Sequence, residues 1–453
     1  MKGGVADRSH TSRDDQEVRG RSTAIASRRH LCHRMCPSGA PGREMAKSTD
    51  AAASANSSSG ALAGVKIVDL TRVLGGPFAT QLLADHGADV IKLEPPMGDE
   101  VRDWGPPFHD GDASYYIGIN RNKRSIGLDL AQPVGREVLL RLLEGADALI
   151  ENFKPGSMEA WGIGYEALKK RFPKLIYCKI SGFGAHGPLG GFPGYDGIVG
   201  AMTGHYSVNG SQESGPIRLG LPVVDISMGL YCVIGILMAM HERSQSGEGQ
   251  QIEVTLYDSA LSLMHPHFPN YFLSGKTPQL TGNQHANLVP YGMFDTKTCK
   301  IMIGAGNNRA FKRVCELLGR PELADDPRFK SNGDRQNNRE ALNEVLNAKL
   351  AEVDGVSFSL ELLKVGLPCG PVLDTKQVLE GEHVKARGSI IEKDWYRGIH
   401  TPVRLSRTPA SLKSTPPKFS QHAREVLLEH GFDDAAIERL AASGIVVEKR
   451  RTG

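Results

Sequence analysis

The stretch "VKIVDLTRVLGGPFATQLLADHGADVIKLE", Val65–Glu94, decides the fold. It opens with the short apolar run "VKIVDL" and then turns through two glycines and a proline into a segment with helical spacing of its apolar residues. It ends in a second apolar run, "DVIKLE". A strand, a helix and a strand within about thirty residues form the βαβ unit of a parallel sheet. The sequence therefore predicts an α/β protein with an open parallel sheet, whose ligands bind at the carboxyl ends of the strands.

The alternation of helices and strands continues beyond this unit. "GREVLLRLLEGA" predicts a helix, and "DALIEN", "KLIYCKIS" and "QQIEVTL" predict strands. The segment after Asp225, "ISMGLYCVIGILMAMHER", is apolar almost all round and predicts a buried helix. Residues 285–395 change to a hairpin, "YGMFDTKTCKIMIGAGN", and amphipathic helices, which predict a second, smaller α+β domain. Residues 396–453 carry two short helices, which periodicity assigns to neither domain.

Composition excludes several classes of protein. A chain of 453 residues favours two domains. A net charge of +3 gives no reason to expect nucleic acid or an anionic membrane surface as a partner. We also expect no stretch that is long and apolar enough to span a bilayer. The seven cysteines are scattered, which favours a reducing compartment and hence a cytoplasmic location.

Residues 1–60 differ from the rest of the chain, because they are rich first in Arg and then in Ser and Ala. Three interpretations compete: a disordered tail, a mitochondrial targeting segment, and a spurious extension with the true start at Met45. Cys32 and Cys36 form a C-x3-C pair without a second pair at zinc spacing, so we expect no metal site. A targeting segment is poor in acids. The segment is therefore interpreted as a disordered or spurious extension on account of Asp7, Asp14, Asp15 and Glu17.

Three polar segments lie where an open α/β sheet binds ligands. "DLTRVLGGP", residues 69–77, is a Gly-rich turn before a helix and suits an anion, although an ordinary turn explains it as well. "NRNKRSIGLDL" carries basic residues that suit phosphates or form a solvated turn: Arg121, Lys123 and Arg124. "ENFKPG" offers side chains for an amide, an aromatic contact and a phosphate, or is merely a capped loop: Asn152, Phe153 and Lys154.

Two further segments each place an acid before a helix. In "GYDGIVGAMTG", Asp196 follows Tyr195 and is explained as an N-cap. In "GLPVVDISMG", Asp225 is also favoured as an N-cap. A carboxylate held ionised by a helix N-terminus can equally be a nucleophile, and Gly220 and Gly229 would leave room for a bulky electrophile.

Taken in order, these segments resemble the class III CoA-transferases, the family of formyl-CoA transferase and carnitine CoA-transferase. The resemblance runs from about residue 62 to 446 and includes the blocks "PGYDGIVGAMTG", "SGEGQQIEVTLYDSAL" and "GLPCGPV". It implies an interlocked homodimer. Each chain would have a Rossmann-like large domain, formed by residues 61–284 and 396–453, and a small domain at 285–395.

The resemblance also implies the chemistry. Asp225 would attack the thioester carbonyl of an acyl-CoA and pass through an aspartyl anhydride and an aspartyl-CoA thioester. Tyr195 and Asp196 would support it. Coenzyme A thioester is then a substrate, and no permanently bound cofactor or metal is implied. Arg72, Leu74 and Gly75 would contact CoA at the first turn, with Leu128 at the adenine and Asn152 and Phe153 on the pantetheine arm.

The phosphate contacts of CoA are assigned differently from the family pattern. Pro95, Ala131 and Ala160 stand where relatives often carry basic residues. We therefore expect the nucleotide phosphates to meet one or more of the basic residues nearby, namely Arg121, Lys123, Arg124 or Lys154.

Two alternative functions remain. The α-methylacyl-CoA racemases share the fold and use a histidine immediately before the aspartate of the "GYD" block. Tyr195 stands there, and a phenol keeps its proton at neutral pH, which favours the transferase. A CoA-binding protein without turnover would have lost the nucleophile, whereas Asp225 is present.

The substrate prediction depends on "TGNQHANLVPYGMF". This segment lacks the glycine run of formyl-CoA and oxalate enzymes and looks more like the succinyl-CoA:dicarboxylate branch, which uses glutarate or hydroxymethylglutarate. His285 or Asn287 would then meet the distal carboxylate of the acceptor, or would simply be loop residues.

Overall fold

The computed structural model describes residues 60–451. The interpretation of the first 59 residues, including Cys32 and Cys36, lies outside this range. The described chain forms two compact units. The larger contains residues 60–282 and 390–451, and the smaller is Asn283–Ser389.

The strands of the described chain are β1 (Lys66–Asp69), β2 (Asp89–Glu94), β3 (Phe108–His109), β4 (Asp112–Ala113), β5 (Lys123–Gly127), β6 (Ala148–Glu151), β7 (Ile176–Ser181), β8 (Gly210–Ser211), β9 (Gly215–Pro216), β10 (Gln251–Thr255), β11 (Tyr291–Asp295), β12 (Lys300–Gly304), β13 (Cys369–Pro371), β14 (Ile390–Lys393) and β15 (Tyr396–Ile399). The helices of the larger unit are α1 (Gly75–Asp85), α2 (Ser114–Ile117), α3 (Pro133–Leu142), α4 (Ser157–Ala160), α5 (Tyr165–Arg171), α6 (Asp196–Met202), α7 (His205–Val208), α8 (Val223–Ser246), α9 (Leu256–Ser262) and α10 (His267–Ser274).

The larger unit is built on a six-stranded sheet with the order β10-β7-β6-β1-β2-β5, in which all neighbours are parallel. The α/β class and the parallel sheet predicted from the sequence are therefore confirmed. The register pairs Ile67 with Val90 of β2 and with Ala148 of β6. The strand order reverses at β1, so the loops after β1 and β6 flank a topological switch point, where open α/β sheets bind ligands.

Each face of this sheet is covered by helices. Ile67 packs in a buried cluster with residues of α1 and α8, such as Leu83 and Met228. Its neighbour Val68 points to the opposite face, because successive side chains of a strand alternate, and packs in a second cluster. That cluster includes α3 and the C-terminal segment, whose helices are α17 (Ala423–Glu429) and α18 (Asp434–Ala442).

Helix α8 departs from two predictions. It has 24 residues, and an 18-residue window within it has a mean hydropathy of 2.1, so by length and composition alone it could cross a membrane. The expectation that no segment reaches this limit was wrong, although the core helix of a soluble protein can pass the same test. The helix is also not buried all round. One face packs on the sheet, while the opposite side exposes Leu230, Tyr231, Ile234, Leu237 and Met238.

The smaller unit contains the antiparallel sheet β11-β12-β13. The hairpin predicted from "YGMFDTKTCKIMIGAGN" is β11 and β12. The core of this unit is a buried cluster that includes Phe294, Phe311 and Phe329. Its helices are α11 (Asn308–Leu317), α12 (Asn332–Asn337), α13 (Arg339–Leu350), α14 (Gly355–Lys364), α15 (Thr375–Leu379) and α16 (Glu382–Ala386).

Candidate active site

A cavity of about 570 Å³ opens at the switch point of the large sheet. Its walls come from the turn after β1, the loop after β6, the segment after β7 and the first turn of α8. The strand order leaves a crevice beside the carboxyl end of β1. The ends of neighbouring strands and the start of α8 therefore form its walls. The predicted site residues that line the cavity are Arg72, Leu74, Gly75, Asn152, Phe153, Lys154, Tyr195 and Asp225.

The loops after β1 and β6 are tied together by one side chain. The Asn152 carboxamide oxygen accepts from the Arg72 backbone N–H at 3.0 Å, and its Nδ2 donates to the Arg72 carbonyl at 2.8 Å. The Arg72 guanidinium carbon lies 5.9 Å from the centre of the Phe153 ring. The Asn152 carboxamide, predicted to hold the pantetheine arm, is therefore occupied in shaping the wall of the cavity.

Asp225 is the third residue of α8 rather than its N-cap. The N-cap is Pro222, which has no side-chain capping bond. The orphan N–H groups are satisfied by Asp196, whose Oδ2 accepts from Val224 N at 2.9 Å and from Asp225 N at 3.2 Å. Both acids were predicted to cap the helix that begins beside them, and neither does. Asp225 caps nothing and points its carboxyl into the cavity, while Asp196 lies at the start of α6 but caps α8.

The Asp225 carboxyl is not held ionised by the helix end. Burial, followed by the negative charge of Asp196, raises the pKa of Asp225 to about 7. Both effects disfavour a second buried anion, and they outweigh the attraction of the helix N-terminus. The same two carboxylates reach Tyr115: burial and then Asp225 and Asp196 raise the pKa of its phenol. Tyr115 therefore lies within electrostatic range of the two carboxylates and keeps its proton at neutral pH.

Two glycines bring the Gly-rich turn against the start of α8. A Cβ at Gly75 would lie 2.1 Å from Met228 Cε and 2.7 Å from the Asp225 carbonyl oxygen. A Cβ at Gly229 would lie 2.5 Å from the Gly75 carbonyl oxygen. Gly75, where the family usually has alanine, thus permits close contact between the two backbones. The expectation that Gly229 leaves room for substrate was wrong, because the Gly75 backbone fills that space.

The proposed phosphate contacts on the "NRNKRSIGLDL" segment are corrected by the structure. Arg121 is buried and its Nη2 lies 2.6 Å from Asp85. Lys123 is fully buried 3.3 Å from Asp69, and burial, opposed by that acid, lowers its pKa to about 7. Arg124 pairs with Asp89 at 2.6 Å and also with Glu425 and Glu429. These cations balance internal charges, so among the proposed phosphate ligands only Lys154 is both exposed and at the cavity.

The predicted contact of Leu128 with the adenine is also corrected by the structure. Its side chain is 1% exposed and packs in the core, and its backbone bridges to Val446 of the C-terminal segment. It does not line the cavity, so its side chain offers no surface to an adenine ring.

His285 and Asn287 lie in the smaller unit, in the loop before β11. The Nδ1 atom of His285 accepts from the backbone N–H of Asn287 at 3.0 Å and of Leu288 at 3.2 Å. Burial, followed by the charge of Arg339, lowers the pKa of His285. His285 is therefore a neutral ring that organises its own loop through one nitrogen.

Sequence reasoning missed three contributors to the site. Tyr115 comes from the short helix α2, and nothing local distinguishes it from Tyr116. The loop Gly190–Gly194 lines the cavity and was not considered in the sequence analysis. Glu100 lines it as well and begins a 3₁₀ helix, Glu100–Arg102. Only the folding of distant segments onto one edge of the sheet brings them together.

The geometry defines a protein that binds a ligand at an α/β switch point and presents a carboxyl group there. The model of CoA-transferase family III matches residues 62–423, which is most of the chain. The chain therefore belongs to CoA-transferase family III and is a CoA-transferase, with CoA thioesters as substrates.

Individual relatives agree with this assignment. A "Succinyl-CoA:glutarate CoA-transferase" of Mus musculus is 37% identical over 392 residues, covering 85% of this chain and 90% of that protein. An "Acetyl-CoA:oxalate CoA-transferase" of Acetobacter aceti is 38% identical over 346 residues, covering 76% of this chain and 88% of that protein. The crystal structure of a CAIB/BAIF family protein from Brucella suis is 39% identical, with a TM-score of 0.74, and covers 82% of this chain and all of that one.

Proposed function

We propose that this protein moves coenzyme A from succinyl-CoA to a dicarboxylic acid through covalent intermediates on Asp225. The observation that carries the proposal is the state of that carboxyl group. It lines the cavity at the switch point and is flanked by a second acid, and in residues 60–451 no cation pairs with it. A half-buried acid that forms no ion pair costs stability, so a chemical use for it is the simplest explanation.

The proposed reaction begins from the ionised carboxylate. One Asp225 oxygen attacks the thioester carbonyl carbon, the C–S bond breaks, and CoA leaves as a thiolate with a mixed anhydride left on the protein. The thiolate then attacks the Asp225 carbonyl and releases the donor as a free carboxylate. An aspartyl-CoA thioester remains.

The second half runs in the opposite direction. The acceptor carboxylate attacks the Asp225 carbonyl and displaces the thiolate, which gives a new anhydride. The thiolate attacks the acceptor carbonyl, forms the product thioester and returns Asp225 as a carboxylate. No water enters, so the cavity must exclude it from both intermediates. Tyr115, whose phenol feels the charge of both carboxylates and stays protonated, is our candidate donor to the oxyanions that form.

The choice of substrate rests on the relatives. The mouse protein is named for succinyl-CoA and glutarate, and the Acetobacter aceti protein for acetyl-CoA and oxalate. Both named acceptors are dicarboxylic acids. The missing glycine run argued against oxalate, but the similarity to the oxalate enzyme makes oxalate a necessary member of any acceptor panel.

We also propose that the chain forms a homodimer. Leu230, Ile234, Leu237 and Met238 lie on one side of α8 at helical spacing and are 41–67% exposed. On α10, Phe272 is 77% exposed and Leu273 is 90% exposed. Exposed apolar side chains in this number are typical of a protein–protein interface. A second copy of the chain is the partner that the resemblance implies.

The cytoplasmic location stays a prediction.

A panel of substrates tests the proposal. The purified protein is incubated with succinyl-CoA or acetyl-CoA and, separately, with glutarate, hydroxymethylglutarate, oxalate, formate or acetate, and new acyl-CoA species are measured by mass spectrometry. We expect succinyl-CoA with a dicarboxylate to give the fastest transfer and the Asp225→Asn protein to give none. Failure with every acceptor, together with epimerisation of a 2-methylacyl-CoA, would favour the racemase.

A further inference from the structure

The wall of the cavity beside Asp225 contains a residue in an unfavourable backbone conformation. Val73 has a φ of 71°, in the left-handed region. A β-branched L-residue rarely adopts this region, and the preference against it corresponds to about 5- to 30-fold. Val73 lines the cavity between two predicted CoA contacts, Arg72 and Leu74. Something other than local preference must therefore hold the turn.

Side chains from outside the turn hold its backbone groups. Thr71 N donates to Asp69 Oδ1 at 2.9 Å, and the Thr71 carbonyl accepts from Lys92 Nζ at 2.7 Å. Asn152 binds both backbone groups of Arg72. The strained residue itself has one such contact, from Val73 N to Asp99 Oδ1 at 3.1 Å.

Asp99 is fixed in turn by Lys92. Its Oδ2 lies 2.9 Å from Lys92 Nζ, and both side chains are fully buried. The Asp99 N–H donates to Glu94 Oε2 at 2.9 Å. Lys92 therefore reaches both ends of the turn, directly at the Thr71 carbonyl and through Asp99 at Val73 N.

We propose that Asp99, oriented by Lys92, is a positioning residue that locks Val73 in the left-handed conformation and so fixes the CoA-facing wall. The identity of the ligand in this proposal rests on the proposed function. The lock would keep the backbone of Val73, Leu74 and Gly75 facing the cavity, with Gly75 against the Asp225 carbonyl. The chain achieves this without a glycine at position 73, which would lower the strain but loosen the turn.

The chemistry requires a carboxylate at position 99. The Lys92 ammonium and the Val73 N–H are both donors, so each needs an acceptor oxygen. An asparagine has only one. In an Asp99→Asn protein the amide oxygen would turn to the Lys92 charge, and its NH₂ group would then face the Val73 N–H. Val73 would lose its acceptor and leave the left-handed region.

The first test measures CoA affinity by titration calorimetry. Asp99→Asn should weaken CoA binding by about tenfold, in line with the cost of the left-handed conformation. Adding Val73→Gly to Asp99→Asn should restore most of the affinity, because glycine adopts positive φ without strain. Adding Val73→Ala should not, because alanine keeps a Cβ. Asp103→Asn, which alters the exposed pair with Arg450, is the matched control and should leave the affinity unchanged.

A second pair of variants avoids an unpaired buried charge if Asp99→Asn fails to fold. Lys92→Met/Asp99→Asn and Lys92→Met/Asp99→Leu both lack the ion pair and differ in whether Val73 N and Val101 N have an acceptor. Rescue by Val73→Gly separates the two, because it relieves only the strain at position 73. We expect the Leu version to bind CoA about tenfold more weakly and to be rescued by Val73→Gly. Equal affinities for the Asn and Leu versions would overturn the proposal, as would an Asp99→Asn defect that Val73→Gly and Val73→Ala relieve equally.

The two proposals are kept apart by crystal structures of the parent and the Asp99 variants. If the parent binds no CoA, the proposed function fails. The φ of Val73 in these structures still tests whether Asp99 holds the left-handed conformation. A shift of Val73 out of the left-handed region in the variants supports it. An unchanged positive φ contradicts it.

Discussion

Two groups of acids in the larger unit have pKa values shifted in opposite directions. At Glu94, burial alone would raise the pKa, but Arg102 at 2.7 Å lowers it to about 2. At Asp225, burial and the neighbouring acid Asp196 act together and raise the pKa to about 7. Both carboxyls lie beside the same large sheet. The difference is that one has a cation and the other has a second anion.

The comparison separates acids that build the fold from an acid available for chemistry. The Glu94–Arg102 pair is joined by Asp112 and by the Tyr116 ring, whose centre lies 3.6 Å from the Arg102 guanidinium carbon. Every charge there is neutralised internally. Asp225 has no paired cation in the described part of the chain, so its charge changes near neutral pH, as the proposed nucleophile requires.

The largest effect expected is on turnover. Asp225→Asn removes the nucleophile and keeps the size of the side chain, so transfer should fall by at least about 10⁴-fold, as for other covalent nucleophiles. A steady-state assay of acyl-CoA exchange measures the loss. Retention of more than a tenth of the parent rate would show that Asp225 is not the nucleophile.

On the other side of the comparison, Arg102→Met should damage the fold. It leaves the buried Glu94 without the cation that pairs with it, while Asp112 keeps only Lys418 at 3.1 Å, and the loss costs about 3–5 kcal/mol of unfolding free energy. Urea unfolding at pH 7 measures this cost. Arg450→Met breaks an exposed pair with Asp103 and should cost no more than about 1 kcal/mol. Similar values for the two variants would mean that the Glu94 group is not structural.

The contact between the turn and α8 is tested by Gly75→Ala. The added Cβ would collide with Met228 Cε and the Asp225 carbonyl oxygen, and a displacement of about 1 Å at a reacting group can lower kcat about 10²-fold. Gly333→Ala, in the smaller unit, meets only Ser331 Oγ at 3.7 Å and should have no effect. An unchanged kcat in Gly75→Ala would show that the turn does not position Asp225.

The pH dependence of stability should differ in sign between the two groups. The folded pKa of Glu94 lies below its ordinary value, so its contribution is present above about pH 4.5 and is lost as the pH falls toward 2. The folded pKa of Asp225 lies above its ordinary value of 3.8, so its cost grows as the pH rises from about 4 to 7. Asp225→Asn should therefore be more stable than the parent at pH 8, by about 1 kcal/mol after allowance for solvent screening, and equal to it near pH 4. A parent more stable than the variant at pH 8 would contradict this assignment.

The smallest effect concerns Asp196. Asp196→Asn keeps an oxygen that accepts from Val224 N but removes the charge that helps to raise the pKa of Asp225. The acid limb of the kcat/KM profile, which reports ionisation of the free enzyme, should move to lower pH by less than about one unit. Asp103→Asn serves as the control with an unchanged limb. An acid limb that stays in place or moves to higher pH would show that the charge of Asp196 does not raise the pKa of Asp225.

The sequence predicted most of the fold, because β1, α1 and β2 have strong local signals of apolar spacing and turn residues. The resemblance also drew attention to Asp225 and the turn at Arg72, which both line the cavity, while their roles stay predictions. Sequence reasoning failed where the outcome depends on which side chain finds which partner. Arg121 and Lys123 looked like exposed phosphate ligands, and only the folded chain brings Asp85 and Asp69 against them. The capping of α8 by Asp196 is a contact across 28 residues, which no local pattern reveals.

The exposed apolar side of α8 shows the same limit. Its sequence is apolar all round, so periodicity alone predicted full burial. The structure leaves Met238 67% exposed on one chain. Which of its faces packs on the sheet depends on contacts with distant segments, and composition carries no information about that choice.

The central claim is that Asp225 carries an acyl or CoA group during turnover. The most direct measurement is trapping with neutral hydroxylamine, which attacks an activated Asp225 carbonyl, displaces CoA or the acid, and leaves a stable hydroxamate. We predict that mass spectrometry of proteolytic peptides, after incubation with succinyl-CoA, will find the hydroxamate on Asp225 and on no other acid, and will find none in Asp225→Asn. An unmodified Asp225 in protein that is turning over succinyl-CoA would contradict the account.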